Sequence, residues 1–328
     1  MSIPLTRRRL IARAAALGAS ASVLHFPSLA QIAGTSRVLV GFPAGGTADS
    51  LARVIAPLLE LPGQGTIVEN KPGASGQIAA ESVRQAVPDG TALLLTPSSI
   101  LSLVPHLYRK PMYDSLTDFA PIGGVCDHSF GFAVQGSSQI KTFADYVSWA
   151  KAKVKDATFA TPGPGTAPHF LGTLLGRELE VPLVHVPYKG VAPGLQDLMG
   201  GQVASTFNPL PTLLEYHRAG KIRILAITNP TRVASLSDVP TFRELKLPSI
   251  ELVEWYGLFT SSKVPLATIQ KLQNHVATAV SRPEMSAAAK RLEVEPRRVS
   301  AVALKQLLEA DYKRWQGIVK ATGITLDT

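Results

Sequence analysis

The strongest constraint on this chain is a rhythm. Short apolar runs alternate with stretches whose apolar residues recur every three or four positions. Val38-Leu39-Val40, Ile67-Val68-Glu69 and Leu93-Leu94-Leu95 read as strands. Between the first two, Leu51, Val54, Ile55, Leu58 and Leu59 form the one-sided stripe of a helix, and residues 78–85 carry another. The middle of the chain repeats the pattern. Strands near 158–160, 184–186, 205–207 and 224–227 alternate with helices around 168–178, 194–199 and 211–219. Thr142-x-x-Asp145 has the spacing of a capping box opening a helix that runs to about Lys153. The last third is helical, over about 265–281, 283–291 and 300–322. Such alternation predicts an α/β fold with mostly parallel sheets and helices on their faces.

Two sheets are expected, since the strands outnumber what one small domain needs, and 328 residues suit two domains of roughly 150 each. Apolar strands near 126–132 and 254–259 are candidates to pass between them. The division would then be 31–130 plus 255–328 for the first domain and 131–254 for the second. A head-to-tail split near residue 140 satisfies the same periodicity.

Residues 1–30 read as an export signal and are left out of the fold. A basic segment, Thr6-Arg7-Arg8-Arg9-Leu10-Ile11, precedes a mild apolar stretch from Ala14 to Phe26, and Ser28-Leu29-Ala30 places small residues at a cleavage site. The arginine pair followed by Leu and Ile resembles a twin-arginine signal, and the general secretory route stays open. This segment also explains the charge. Arg7, Arg8, Arg9 and Arg13 supply four of the nine net positive charges, and the remainder is scattered without a basic run. That distribution argues for a solvated, mildly basic surface and against nucleic-acid binding. Cys126 is the single cysteine, so the chain forms no intrachain disulfide and has no multi-cysteine zinc motif.

Two loops carry the chemistry. Phe42-Pro43-Ala44-Gly45-Gly46-Thr47-Ala48-Asp49 follows the first strand, and Ala160-Thr161-Pro162-Gly163-Pro164-Gly165-Thr166-Ala167-Pro168-His169 follows a later one. At an offset of 119, Pro43, Gly46, Thr47 and Ala48 match Pro162, Gly165, Thr166 and Ala167. Each loop leads a strand into a helix, whose first N–H groups lack partners and carry the positive end of the helix dipole. Glycine lets the backbone approach an anion, and a threonine can cap the helix or donate its hydroxyl. A pair of such loops would hold a carboxylate from two sides. Plain turn chemistry uses the same residues, so the repetition is what favours binding. Gly41 and Gly46 have the glycine spacing of a nucleotide P-loop, but Thr47 stands where the phosphate-binding lysine belongs, which excludes ATP and GTP.

Catalytic patterns are thin. The sequence has no Gly-x-Ser-x-Gly and no His-Glu-x-x-His, and its histidines lack metal-ligand spacing. His169, just inside the second helix, reads as an orienting or packing residue rather than a base. Asp49 reads as a brace for the first loop, with contact to a ligand amine as the alternative, because an unpaired carboxylate would repel a bound one.

At these residues the sequence resembles the tripartite tricarboxylate transporter receptor family, the Bug or TctC-type solute-binding proteins. The landmarks are Val40-Gly41-Phe42-Pro43 through Asp49, Val68-Glu69-Asn70-Lys71-Pro72-Gly73-Ala74-Ser75-Gly76, Pro88-Asp89-Gly90-Thr91 and Val186-Pro187-Tyr188-Lys189-Gly190. Asp197-Leu198-Met199-Gly200-Gly201-Gln202-Val203, Ala219-Gly220-Lys221-Ile222-Arg223-Ile224-Leu225-Ala226 and Val239-Pro240-Thr241 complete them. The resemblance implies a two-domain periplasmic-binding-protein fold of the type II-like, Venus-flytrap kind with hinge crossovers. It implies no enzyme activity and no cofactor or metal. Ala44 departs from the family's usual second proline, and Pro168-His169-Phe170 departs from its usual Ser-His-Leu.

The expected site therefore comprises Phe42, Gly45, Gly46, Thr47, Ala48 and Asp49 from the first loop. From the second it takes Thr161, Gly163, Gly165, Thr166, Ala167 and His169. Ser98, His128, Tyr188 and Asn208 form a wall, chosen for their places at strand ends or turns. The expected ligand is a small organic acid, and the expected partners are membrane subunits of a tripartite transporter. The expected state is a monomer in the periplasm. Two rival readings remain at this point: a periplasmic sensor subunit reporting to a histidine kinase, and a hydrolase or isomerase using His169 with Asp49.

Overall fold

The computed structural model describes residues 35–59, 61 and 65–326; the expected export signal at 1–30 lies outside them. The alternation read from the sequence becomes β1 (Ser36–Val40), α1 (Thr47–Ile55), β2 (Thr66–Asn70), α2 (Gln77–Arg84), β3 (Ala92–Pro97) and a short α3 (Ser98–Ser102). β1 pairs in parallel with β2 and with β3. Its side chains alternate between faces, and both faces are dry. Val38 and Val40 pack in one core with Leu51 and Ile55 of α1, while Leu39 packs in another with Ala79 and Val83 of α2. The apolar stripe expected to reach Leu59 stops being α-helical at Ile55. Pro57 has no N–H to extend the ladder, and Ala56–Leu58 tighten into a 3-10 turn.

The strand that organises the molecule is β4 (Phe119–Gln135). From Phe119 to Ser129 it pairs antiparallel with β9 (Val253–Ser261). From Phe130 onward it changes partners, to β7 (Ser205–Pro209) and β8 (Ile222–Ile227). β7 then pairs with β5 (Thr158–Thr161), and β5 with β6 (Val184–Pro187), both in parallel. The two sheets expected from the sequence are thus joined through β4 into one curled ten-stranded sheet. Its order is β2-β1-β3-β9-β4-β7-β5-β6, with β8 and the two-residue β10 (Glu295–Pro296) also on β4. The parallel expectation holds for the two outer triplets and fails in the middle. There β4 and β9 carry the chain across and back, so they run antiparallel to each other and β9 runs antiparallel to β3.

The helices that follow the later strands are α4 (Phe143–Ala152), α5 (Ala167–Leu179), α6 (Val191–Met199) and α7 (Leu210–Arg218). The capping box at α4 is formed in both directions: Thr142 Oγ1 accepts the Asp145 N–H at 3.1 Å, and Asp145 Oδ2 accepts the Thr142 N–H at 2.9 Å. The chain ends with α8 (Leu266–Val280), α9 (Pro283–Leu292) and α10 (Ala301–Thr322). α10 ties the molecule together. Leu304 and Leu308 belong to the core around Leu94 and Phe259, whereas Trp315 and Val319 belong to the core around Phe130 and Phe170. Among the described residues no helix is long and apolar enough to cross a membrane.

Candidate functional site

A cavity of about 240 Å³ opens where α1, α5 and α6 begin, and the crossing strands β4 and β9 line another part of its wall.

The first loop is held from behind. Asp49 Oδ2 accepts the Gly45 N–H at 3.0 Å and the Arg53 Nε–H at 3.0 Å. Asn70 Nδ2 donates to the Phe42 carbonyl at 3.0 Å. Burial pushes the Asp49 carboxyl upward, but hydrogen bonds from Arg53, the Gly45 N–H and Asn70, with the Arg53 charge, hold it below its ordinary value. Gly45 takes φ +88°, a left-handed turn that a side chain would strain. The turn delivers Gly46 as the N-cap of α1 with no side-chain cap, so the N–H groups at the helix start stay open. Thr47 Oγ1 is buried and has no hydrogen-bond partner. Gly45, Gly46, Thr47 and Ala48 all line the cavity.

The second loop is built alike and braced differently. Gly165, at φ +69°, donates its N–H to His169 Nδ1 at 3.1 Å. Accepting that bond fixes the neutral tautomer with the proton on Nε2. His169 stacks on His185 at 3.8 Å, and burial lowers the two imidazoles to about 4 and about 3, His169 adding to the depression of His185. The Gly163 carbonyl accepts from Thr166 Oγ1 at 2.8 Å and Thr161 Oγ1 at 3.1 Å. Thr166 is the N-cap of α5, and Pro168 in the first turn has no N–H to offer. Thr166 and Ala167 line the cavity.

The two loops therefore superimpose at a spacing of 120, not the 119 of the sequence match. Gly45 pairs with Gly165, Asp49 with His169, and the helix starts Thr47 and Ala167 with each other. Thr47 and Thr166, equivalent by sequence, are not equivalent in space. One is the first helical residue with an open hydroxyl; the other is a cap whose hydroxyl is spent on its own loop.

The wall contributed by the crossing strands is polar at its centre. Glu254 is only 5% exposed, and its Oε1 accepts the Ser99 N–H at 2.6 Å and the Ser98 hydroxyl at 3.3 Å. Its Oε2 lies 3.5 Å from His128 Nε2. Burial raises Glu254 to about 7 and lowers His128 to about 3, so the contact joins a carboxyl to a neutral imidazole and is no ion pair. His128 Nδ1 is buried without a partner. Ser99, His128, Phe130, Glu254 and Tyr256 line this part of the cavity.

Of the expected site residues, Phe42, Gly45, Gly46, Thr47, Ala48, His128, Thr166 and Ala167 meet at the cavity. Asp49, Thr161, Gly163, Gly165 and His169 stand behind it and shape the loops. Ser98 is one step removed, bonded to Glu254 while its neighbour Ser99 lines the wall. Tyr188 and Asn208 do not reach the cavity. The Tyr188 hydroxyl turns to Asp197 at 2.6 Å, and Asn208 Nδ2 donates to Thr206 at 2.7 Å. The sequence reading missed Glu254 and Ser99. It also missed the start of α6, where Gly190 at φ +105° caps a third helix pointing at the cavity and Lys189 lies exposed beside it. An acid inside the apolar run Val253-Glu254-Trp255-Tyr256 was the available signal, because an ionisable group in a buried strand needs a reason to be there. Among the described residues no group of three or more His, Cys, Asp or Glu is placed to hold a metal ion.

The loops approach each other across the cavity. Ser75, itself at φ +54°, donates its hydroxyl to the Pro164 carbonyl at 2.5 Å. A Cβ on Gly190 would lie 3.0 Å from Pro43 Cγ.

A family model described as "Tripartite tricarboxylate transporter family receptor" matches residues 51–324. A UPF0065 protein from the gbd 5' region of Cupriavidus necator is 30% identical over 327 residues, covering 98% of this chain and 99% of its own length. Among solved structures, Rpa4515 of R. palustris with adipate superimposes with a TM-score of 0.83 at 30% identity, over 89% of this chain and 98% of its own. MatC of Rhodopseudomonas palustris with bound malate gives a TM-score of 0.80 at 28% identity, over 87% and 98%.

Proposed function

This chain belongs to the tripartite tricarboxylate transporter receptor family, and from that premise we propose that it captures a small organic carboxylate between its two strand-turn-helix loops for delivery to the membrane subunits of such a transporter. The family's members are substrate-binding receptors, not enzymes. The observation that carries the reading is the arrangement of the loops: two uncapped backbone turns, each braced by a side chain four residues on, open onto one cavity. Helix N-termini stabilise negative charge, and amides fixed before the ligand arrives lose little entropy when they bind it. A hydrogen bond to a charged group contributes about 1.5–3 kcal/mol, so a few open N–H groups and the Thr47 hydroxyl suffice for useful affinity. The carboxylate docks on Gly46, Thr47 and Ala48 from one side and on Thr166 and Ala167 from the other. The malate- and adipate-bound neighbours, both carrying dicarboxylates, support this class of ligand.

Closure is part of the proposal: the body holding 35–130 and 255–326 moves against 131–254 about the crossings of β4 and β9, and the Ser75–Pro164 bond latches the shut form. The receptor works as a monomer in the periplasm after an export signal at 1–30 has been removed.

A thermal-shift panel of mono-, di- and aromatic carboxylates, sugars and nucleotides tests the proposal. A ligand held only by the native state, present at a hundred times its Kd, adds about 2.7 kcal/mol of stability and raises the midpoint. A carboxylate is expected to do so. A shift produced by sugars alone would overturn the reading.

A further inference from the structure

Glu254 is out of place in a cavity built for an anion. It comes from β9 at the crossing, is held by the Ser99 N–H and the Ser98 hydroxyl through Oε1, and turns Oε2 toward His128 on β4. It lines the cavity together with Ser99 and the neutral His128, and among the described residues no lysine or arginine pairs with it. The other ionisable groups around it do not neutralise it. Tyr256 stands beside it in β9, and Asp311 of α10, bonded to Trp255 Nε1 at 2.8 Å, adds negative potential. At the cavity Lys189 and Glu215 are both exposed and opposite in sign, so solvent and each other's charge blunt their effect inside.

We propose that Glu254, positioned by Ser99 and backed by His128, sets the ligand class by accepting a hydrogen bond from a donor group on the bound acid, so that this receptor selects carboxylates carrying a hydroxyl or amine over dicarboxylates. The inference rests on the carboxylate reading above and divides the cavity by chemistry. The loop amides take the carboxylate, and the crossing strands take the rest of the molecule. An ionised second carboxylate meeting Glu254 would be repelled by a like charge at low dielectric, or would have to bind along with a proton. A methyl end would offer Oε2 no donor and leave the carboxyl with only Ser98, Ser99 and the neutral His128. A hydroxyl satisfies it as a neutral donor, and an ammonium satisfies it while holding it ionised. This preference would set the chain apart from its adipate-bound neighbour, whose ligand has a second carboxylate and no hydroxyl or amine.

The test is calorimetric titration of the mature protein with acids matched in length. At four, five and six carbons, the far end is varied among methyl, hydroxyl, ammonium and carboxylate; at five these are valerate, 5-hydroxyvalerate, 5-aminovalerate and glutarate. The hydroxy or amino acid is expected to bind at least tenfold more tightly than the methyl and dicarboxylate members of its series. Glu254→Gln keeps the size and the acceptor for Ser99. It should reduce that preference to less than threefold while the methyl acid binds as before. A dicarboxylate that binds as well as or better than the hydroxy and amino acids would overturn the inference and leave the carboxylate reading standing. So would a preference that survives in E254Q. Should E254Q fail to fold, the wild-type ranking decides alone. Absence of binding by every acid in all three series would defeat the carboxylate reading, and the inference with it.

Discussion

The two loops make the same turn with different chemistry. In the first, an ionised aspartate braces Gly45, an arginine braces the aspartate, and the threonine hydroxyl is left open. In the second, a neutral histidine braces Gly165, another histidine stacks on it, and the threonine hydroxyls are consumed by Gly163. Proline occupies the second helical position of α5 where α1 has Ala48. The difference teaches that a backbone cradle needs only a fixed turn and open amides; what fixes the turn is interchangeable. It also ranks the two sides. The first loop has more donors to give and should carry more of the binding energy.

The sharpest way to break that ranking is to make the first loop resemble the second. Ala48→Pro removes one N–H at a position where proline is compatible with a helix start. Calorimetry should show roughly a 10- to 100-fold loss of carboxylate affinity, the worth of one charge-assisted bond. The reverse exchange, Pro168→Ala, adds an N–H and should not weaken binding. Equal small losses from both would mean that the loops do not share the ligand through their amides.

The threonines provide the next contrast. Thr47→Val, which removes an unpartnered buried hydroxyl, should weaken binding by about 3- to 10-fold with little loss of stability. Thr166→Val should do the opposite. It costs about 1 kcal/mol of stability, seen by denaturant unfolding, because Gly163 loses one of its two donors, and it changes affinity less than Thr47→Val. A larger binding defect in Thr166→Val would return the two threonines to the equivalence their sequence suggests.

That equivalence is where reading from sequence reached its limit. The loops, their glycines and the bracing role of Asp49 were legible, because a strand, a Gly-rich turn and a helix stripe leave few alternatives. The register was not. Pro, Gly, Thr and Ala match at 119, but the turn is defined by which glycine takes positive φ and which residue four on accepts its N–H. Aspartate and histidine perform that task equally, so identity of letters pointed one residue away from identity of roles. Most strands and helices were legible from period, the short α3 and β10 excepted, while the joining of two sheets into one was not. Nothing local in Phe119–Gln135 announces that its partners change at Phe130, since pairing is decided by distant strands. Tyr188 and Asn208 were chosen for position; the Tyr188 hydroxyl and the Asn208 amide nitrogen found partners within their own neighbourhood, while Asn208 Oδ1 is buried without one. Glu254 was visible as an anomaly, but periodicity assigns a buried acid no role.

A gentler contrast lies in acid. His169 is depressed to about 4 from an ordinary 6.5, so between those values the unfolded chain binds more protons than the native one. Stability is fully present above pH 6.5, falls as pH drops toward 4, and loses nothing more from this group below that. Asp49, held below its ordinary 3.8, contributes stability above that value and loses it only as pH falls further. The second loop should thus give way before the first. Melting midpoints followed from pH 7 to 4 should slope downward in the wild type and less steeply in His169→Gln, while Asp49→Asn keeps the wild-type slope. His185, depressed to about 3, keeps part of the slope in every variant. An unchanged slope in His169→Gln would remove the histidine from its bracing role.

The central claim, that facing loop amides hold an organic anion, is tested most directly by a crystal structure with the best carboxylate from the thermal-shift panel. One carboxylate should sit within hydrogen-bond distance of N–H groups from both 46–48 and 166–167. A ligand whose carboxylate faces solvent, or lies against Glu254 with the loop amides bound only to water, would contradict it.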